Sequence, residues 1–320
     1  MDISIVIPVY NGEETLDRCL QAVTTLDIPE GCNLEILLVN DGSTDRTLDI
    51  VADYPSVKII DLKKNMGRIF ARKTGAENAK YDNILFIDSR VKAESDLVVR
   101  IAEINYQPLL AGGIKHEKYR SDYDTFFYLI RRKIYFPYFP QSSFSKELYI
   151  DEKNFFKAPK GTTCFFVNKD LFLMSLPGTE SKDTSDDTKI MHSIVFKSGK
   201  KILRHTDLVI EYNQRTGGNI NSWIFHRGKI WADYYLSFIN RYSVLFFLLT
   251  IVILFLLLTN FCKFFIVIVL LLFLSSLYLA ENLKDFVITA KVLPLLSALF
   301  YSGSILKIIS KFSKLIGVRK

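Results

Sequence analysis

Apolar residues run almost unbroken from Ile3 to Val9 and from Leu34 to Val39, the pattern of strands buried on both faces. Behind the first run, Leu16, Leu20, Val23 and Leu26 recur at helical spacing. Behind the second come Leu48 and Val51, with Thr44 or Asp45 placed to cap that helix. Val57 to Leu62 reads as a third strand, 68–79 as a helix and Asn83 to Ile87 as a fourth strand. Strands alternating with short helices predict an α/β fold, a mainly parallel sheet with helices on both faces. Further along, Thr162 to Val167 reads as a strand and Pro177 to Ser185 as a polar loop. Asp186 to Phe196 follows as a helix with Ile190, Ile194 and Val195 inside.

Polar clusters fall where these strands end: Tyr10-Asn11-Gly12-Glu13, Asn40-Asp41-Gly42-Ser43 and Asp88-Ser89-Arg90. Open α/β sheets bind ligands beyond the carboxyl ends of their strands, so the coincidence marks a site. No GxGxxG follows the first strand and no GxxxxGK[ST] occurs, which argues against a dinucleotide or P-loop site. Carboxylates at two strand ends suit a base edge, ribose hydroxyls or a metal-bound diphosphate.

The pattern changes in the last third. Ser243 to Thr259 and Phe264 to Ala280 carry no charge, and only Asn260 to Lys263 lies between them. At about 1.5 Å per residue each reaches about 26 Å, near the thickness of a hydrocarbon layer, so a transmembrane hairpin is expected. A third apolar stretch, Val292 to Ile309, is interrupted by Pro294, Gly303 and Lys307 and followed by Lys311, Lys314, Arg319 and Lys320. The positive-inside rule places that tail in the cytosol, which favours two spans plus an interfacial C-terminal segment over a third span. Tyr119 to Phe139 and Asn221 to Tyr242 mix aromatic and cationic residues, as headgroup-zone helices do. For the first of these stretches an ordinary helix covering a core fits equally.

Charge follows the same division. From Ser243 onward there are 8 Lys/Arg against 2 Asp/Glu, and before it 33 against 32. A nearly neutral body argues against nucleic-acid binding, and a basic excess beside apolar segments suits an anionic membrane surface. The 4 cysteines and 4 histidines are scattered, so neither a disulfide framework nor a zinc site is signalled. The first apolar run is too short for a signal peptide, and the body is expected in a reducing cytosol.

Ile5-Val6-Ile7-Pro8-Val9-Tyr10-Asn11, Val39-Asn40-Asp41-Gly42-Ser43-Thr44-Asp45, Asn65-Met66-Gly67 with Ala71-Arg72 and Gly75, and Phe86-Ile87-Asp88 occur in this order over residues 3–90. Together they resemble family 2 glycosyltransferases of the GT-A (Rossmann-like) fold. The resemblance implies a nucleotide-diphospho-sugar donor and an inverting transfer. It implies that Pro8, Tyr10, Asn11 and Glu13 line the nucleotide pocket and that Asp41 binds the base. Asp88 would face ribose and diphosphate, with Arg72 nearby. The family's Asp-x-Asp would bind Mg²⁺ or Mn²⁺, but here the second Asp is Arg90. Asp88 is then the one motif ligand for a metal, and metal use is left open, with Arg90 as a donor-binding candidate instead.

Asp186-Asp187 resembles the family's acidic pair, whose second member is the catalytic base. Helix capping explains one such Asp equally simply, and Asp183 is a competing base. Arg215, before the membrane segments, is a candidate for the diphosphate or for a headgroup. The expected division is a cytosolic transferase domain over 1–220, with 1–112 holding the nucleotide-sugar and 113–220 the acceptor. An interfacial helix over 221–242, the hairpin over 243–280 and an interfacial or third membrane segment over 281–320 complete it. The expected function is sugar transfer to a hydroxyl of a lipid-linked acceptor at the cytosolic face of a plasma or inner membrane, in surface-glycan assembly. The alternatives are a polyprenyl-phosphate glycosyltransferase and an inactive nucleotide-sugar-binding scaffold. A processive synthase is disfavoured, since no clear Gln-x-x-Arg-Trp element occurs and two spans are too few for a channel.

Overall fold

Every apolar run of the first ninety residues becomes a strand, and all but the third are largely buried. In the computed structural model β1 (Ile3–Val9), α1 (Leu16–Thr24), β2 (Leu34–Asn40) and α2 (Thr47–Ala52) come first. β3 (Val57–Asp61), α3 (Arg68–Asn78) and β4 (Asn83–Ile87) follow. The described residues are 1–116, 121–139, 146–178, 186–213, 220–236 and 241–315. β1 pairs in parallel with β2 and β4, and β2 with β3. Ile3, Ile5 and Ile7 of β1 share one core with Leu16, Cys19 and Leu20 of α1. On the other face α3 lies so close that a Cβ on Gly75 would collide with Val6. Helices on both faces explain why β1 alternates so little in polarity. Leu48, expected inside, is 37% exposed, because six-residue α2 reaches the core through Thr47 and Val51.

The second half of this sheet is mixed. After β5 (Val91–Ala93), α4 (Leu97–Ile104) and β6 (Leu109–His116) come α5 (Asp122–Ile134) and β7 (Glu147–Ile150). β8 (Cys164–Asn168), α6 (Lys169–Met174), α7 (Asp186–His192) and β9 (Ile202–Tyr212) complete the run. Among the described residues the order is β3-β2-β1-β4-β8-β6-β9-β5, with β7 beside β9. β8 runs antiparallel to β4 and β6, whereas β9 runs parallel to β6 and antiparallel to β5 and β7. The parallel arrangement read from the sequence therefore holds for β1 to β4. α7 continues as a wider turn over Ser193–Lys197, and Ile190, Ile194 and Val195 are buried as expected.

The chain divides into two compact units, Met1–Lys118 with Tyr135–Lys182 and Asp186–Arg215, and Tyr119–Ile134 with Asp183–Ser185 and Thr216–Lys320. The second unit holds α5, α8 (Ile220–Tyr235), α9 (Arg241–Thr259), α10 (Phe261–Leu279) and α11 (Leu283–Leu315). Three stretches, Tyr242–Thr259, Phe261–Leu279 and Leu283–Lys311, are long and apolar enough to cross a membrane. α9 and α10 expose apolar side chains along their length, Leu258 at 84% among them, a surface that only lipid or a partner covers. Asn260 alone links them, accepting from the Lys263 amide at 2.9 Å as a helix cap.

α11 runs continuously through Pro294 and Gly303, where the sequence suggested interruptions. It packs on α5, α8 and α10 through Phe126, Ile224, Leu279, Ile288, Val292 and Leu296. Gly228 and Gly303 let α8 and α11 cross in backbone contact, since a Cβ on either would collide with a carbonyl of the other helix. One turn on, Asp233 of α8 pairs with Lys307 at 3.4 Å and Lys311 at 3.6 Å. Its start touches the last turns of α10, through Phe273–Phe286 and a bond from Thr289 to the Ser276 carbonyl. The later part of α11 touches the first half of α9, through Phe246–Tyr301 and a Tyr301–Thr250 bond of 2.8 Å.

Candidate active site

The loops after β1 and β2 are fastened to each other by reciprocal side-chain and backbone bonds. Asn11 donates its amide to Ser43 Oγ and accepts from the Thr44 amide, both at 2.9 Å. The Gly12 amide donates to Thr47 Oγ1 at 2.9 Å. The Glu13 amide donates to Asp45 Oδ2 at 3.0 Å, and its carboxylate accepts from the Arg46 amide at 3.2 Å. Asn11 lies at φ 50°, a left-handed position that Asn tolerates well. These bonds give Asn11 and Glu13 a loop-fastening role, whereas Tyr10 is 49% exposed and free to meet a flat ring. Pro8, which has no amide to give a ladder, lies beyond Val6, where pairing to β4 ends.

Asp41, at the end of β2, is buried. Its carboxylate accepts from the Met66 amide at 2.6 Å and the Gly67 amide at 2.9 Å. That contact fixes the start of α3, and α3 carries Arg68 and Arg72 one turn apart on one side.

Arg72 is 2% exposed, an extreme for a guanidinium. Its Nη1 donates to Asp187 Oδ1 at 2.8 Å and its Nη2 to the Thr162 carbonyl at 3.5 Å. The Thr162 hydroxyl also donates to Asp187, and Arg68 lies 4.0 Å from the other carboxylate oxygen. Asp187 reaches this place from the first turn of α7, and its carboxylate bonds are to β8-side and α3 groups. At the end of β4, Asp88 takes Arg90 Nε at 3.1 Å on one oxygen and Nη2 at 3.2 Å on the other. The Arg90 guanidinium lies 5.0 Å from the Tyr212 ring, at the end of β9.

Electrostatics follow from these contacts. Burial opposes ionisation of Asp187, but Arg68 and Arg72, with the bonds from Thr162 and Arg72, hold its carboxyl far below the usual range. Burial likewise opposes ionisation of Asp88, and Arg90, then Arg72 behind it, hold it below its ordinary value. Both carboxylates are anionic and countered by arginine.

The structure thus gathers Arg72, Asp88, Arg90 and Asp187 into one network. The Asp186 side chain, Asp183 and Arg215 lie outside the described residues. Thr162, Arg68 and Tyr212 were not singled out from the sequence. Arg68 had a signal, its spacing of four from Arg72, while Tyr212 had none. The residues fit a divalent metal poorly. Both Asp88 oxygens are taken by Arg90, and no group of three His, Cys, Asp or Glu able to hold an ion occurs among the described residues.

Residues 4–100 match the family model described as Glycosyl transferase family 2. Glycosyltransferase GlyA of Streptococcus pneumoniae serotype 4 is 30% identical over 152 residues, 46% of this chain and 21% of that protein. The poly(ribitol-phosphate) beta-glucosyltransferase of Bacillus spizizenii is 32% identical over 168 residues, 48% of this chain and 26% of that one. The chain spans only about a fifth to a third of the length of the curated relatives it matches. Among solved structures, the mannosyltransferase PcManGT from Pyrobaculum calidifontis, in complex with GDP-Man and Mn²⁺, is similar at a TM-score of 0.58. Its identity is 14%, with 97% of this chain and 87% of that one covered. At such identity the likeness is one of fold. The motif loops, the strand order and the family match coincide over the first hundred residues, so residues 4–100 carry the family 2 glycosyltransferase match within a chain of GT-A-like fold.

Proposed function

We propose that this protein transfers a sugar, with inversion, from a nucleotide-diphospho-sugar to a hydroxyl of a lipid-linked acceptor at the cytosolic face of a membrane. The observation that carries the reading is the convergence of Asp187 with Asp88, Arg72 and Arg90 beyond the carboxyl ends of β1, β2 and β4. Tyr10 and Asp41 offer a surface and an edge for a base, and the cations beside Asp88 suit a diphosphate. In the step itself the acceptor oxygen bonds to the anomeric carbon while its proton passes to Asp187. The bond to the donor oxygen breaks, and its electron pair leaves on the nucleoside diphosphate. Three apolar helices support a membrane-held acceptor. A relative named for poly(ribitol-phosphate), a polyol chain, supports a hydroxyl nucleophile in surface-glycan assembly.

One observation favours a second reading. A carboxylate held far below its usual range by two arginines is a weak base. An acceptor that is already anionic, polyprenyl phosphate, needs no base, and Asp187 would then only order the arginines. Asp187→Asn separates the two. Under the hydroxyl reading, donor binding persists while transfer falls by about 10²-fold or more. Under the phosphate reading, turnover with polyprenyl phosphate stays near normal. Nucleotide-sugar binding by the wild type without turnover would leave the scaffold reading, and failure to bind any nucleotide-sugar would leave neither.

A further inference from the structure

We propose that this protein neutralises the departing nucleoside diphosphate with guanidinium groups, Arg90 foremost, and binds nucleoside diphosphate without a divalent metal. The inference rests on the donor class proposed above and concerns what holds that donor.

The first argument is occupancy. A hard cation such as Mg²⁺ or Mn²⁺ needs several oxygen ligands, and carboxylates supply most of the protein's share. Here the position two residues after Asp88 bears a guanidinium that stays charged at any relevant pH. That guanidinium closes on both oxygens of Asp88, while the Arg90 amide bonds one of them at 3.1 Å. The second argument is charge. Arg90 and Arg72 stand beside Asp88, and Arg68 and Arg72 beside Asp187. A divalent cation at Asp88 would face these fixed guanidinium groups, whereas a diphosphate offsets their charge.

The third argument is preorganisation. Arg90 is 22% exposed, so part of its side chain is open to a ligand while the rest is held. The Tyr212 ring lies 5.0 Å from the guanidinium, and the Arg90 carbonyl accepts from the Asn213 amide at 3.0 Å. A planar fork held in this way can meet two diphosphate oxygens at once, with little rotamer freedom left to lose. Arg68, 39% exposed across Asp187, is placed to supply a second cation. As the bond to the anomeric carbon breaks, the electron pair collects on the diphosphate oxygen, and fixed cations there stabilise the transition state without reorganisation.

The test is calorimetric binding of UDP, GDP, CDP, ADP and dTDP to the full-length protein in lipid nanodiscs, in excess EDTA and in millimolar Mn²⁺ or Mg²⁺. The expected result is one nucleotide bound in EDTA to within about twofold of its affinity with metal. Arg90→Ala should weaken binding about tenfold or more in EDTA, and Arg90→Lys, which keeps charge but loses the fork, should fall between. Arg90→Asp restores the second carboxylate, so its binding should become metal-dependent. Circular dichroism confirms that each variant is folded. Wild-type binding that vanishes in EDTA and returns with Mn²⁺ overturns the proposal, as does Arg90→Ala binding like wild type in EDTA. Failure of every nucleotide to bind under either condition overturns the donor class itself.

Discussion

Replacing Arg72 by Met keeps the length of a buried side chain and removes its charge, and with it the pairing with Asp187 and the bond to the Thr162 carbonyl. Breaking a buried pair by deleting one partner commonly costs about 3–5 kcal/mol, because the other charge is left uncompensated. Asp187 retains the Thr162 hydroxyl and Arg68 at 4.0 Å, and its side chain is 29% exposed. Those remaining partners and the access to water lower the expected cost to about 2–3 kcal/mol. The assay must report the unit that holds Arg72 and Asp187. Both tryptophans, Trp223 and Trp231, lie in α8 of the other unit and cannot do so. Cys19 and Cys164 can, being buried free thiols in the first unit that burial pushes up in pKa, Cys164 to about 12. With Cys32 and Cys262 changed to Ser, labelling of the two buried thiols measures opening of this unit. A cost of about 2–3 kcal/mol corresponds to labelling faster by about 30- to 150-fold when reclosing outpaces reaction. Adding Asp187→Asn to Arg72→Met should return most of that difference, because the stranded carboxylate is then gone. Labelling within about threefold of wild type, or no recovery in the double variant, would refute the claim that Arg72 exists to counter Asp187.

Two further outcomes concern the helical unit. A reporter fused after Lys320 should be active only in the cytosol, since α11 touches the first half of α9 and the second half of α10, the halves next to where the hairpin enters and leaves, and its lysines pair with Asp233; activity on the outer side establishes a third span. Gly303→Leu should force α11 away from α8, lowering the melting temperature and shifting Trp231 fluorescence to the red, because Trp231 packs on Phe246 and Phe300. An unchanged spectrum and melting curve would mean the crossing tolerates a side chain.

β1, β2 and β4 were legible because helices cover both faces of the sheet there, which makes each strand a nearly unbroken apolar run, whereas edge strand β3 exposes Lys58 and Ile59. The direction of β8 was not, since Cys164-Phe165-Phe166-Val167 is equally apolar whichever way it lies. β9 was missed for a different reason: Arg204 and His205 interrupt its pattern although both are buried. Arg204 gives its guanidinium to the Gly112 carbonyl at 3.1 Å, so a polar residue stands where the period demands an apolar one. The continuity of α11 was hidden by Pro294 and Gly303, two residues that in a soluble helix signal a stop. Gly303 is instead the contact point with α8, which only a three-dimensional crossing reveals.

The carboxylates of the site were visible as strand-end residues, but their partners were not, and that gap bears on mechanism. Asp187 and Arg72 are separated by 115 positions, and no local pattern joins them. Read alone, Asp187 is a carboxylate awaiting a proton; beside two arginines and a threonine hydroxyl it is a stabilised anion. A base of that kind gains strength only if a ligand draws a cation from it. Arg68 is the cation a diphosphate can draw, being the more exposed of the two and 4.0 Å away, while Arg72 is buried and fixed. Donor binding and activation of Asp187 would then be one event: the diphosphate takes Arg68, and the carboxylate it leaves becomes more basic as the acceptor arrives. Under the phosphate reading the same movement serves no purpose, because no proton is to be removed. The pH dependence of transfer therefore separates the readings at a residue remote from the proton itself. Under the hydroxyl reading Arg68→Ala removes a cation from Asp187 in the free protein and moves the acidic limb of activity upward in pH. Under the phosphate reading it weakens donor binding and leaves that limb where it was.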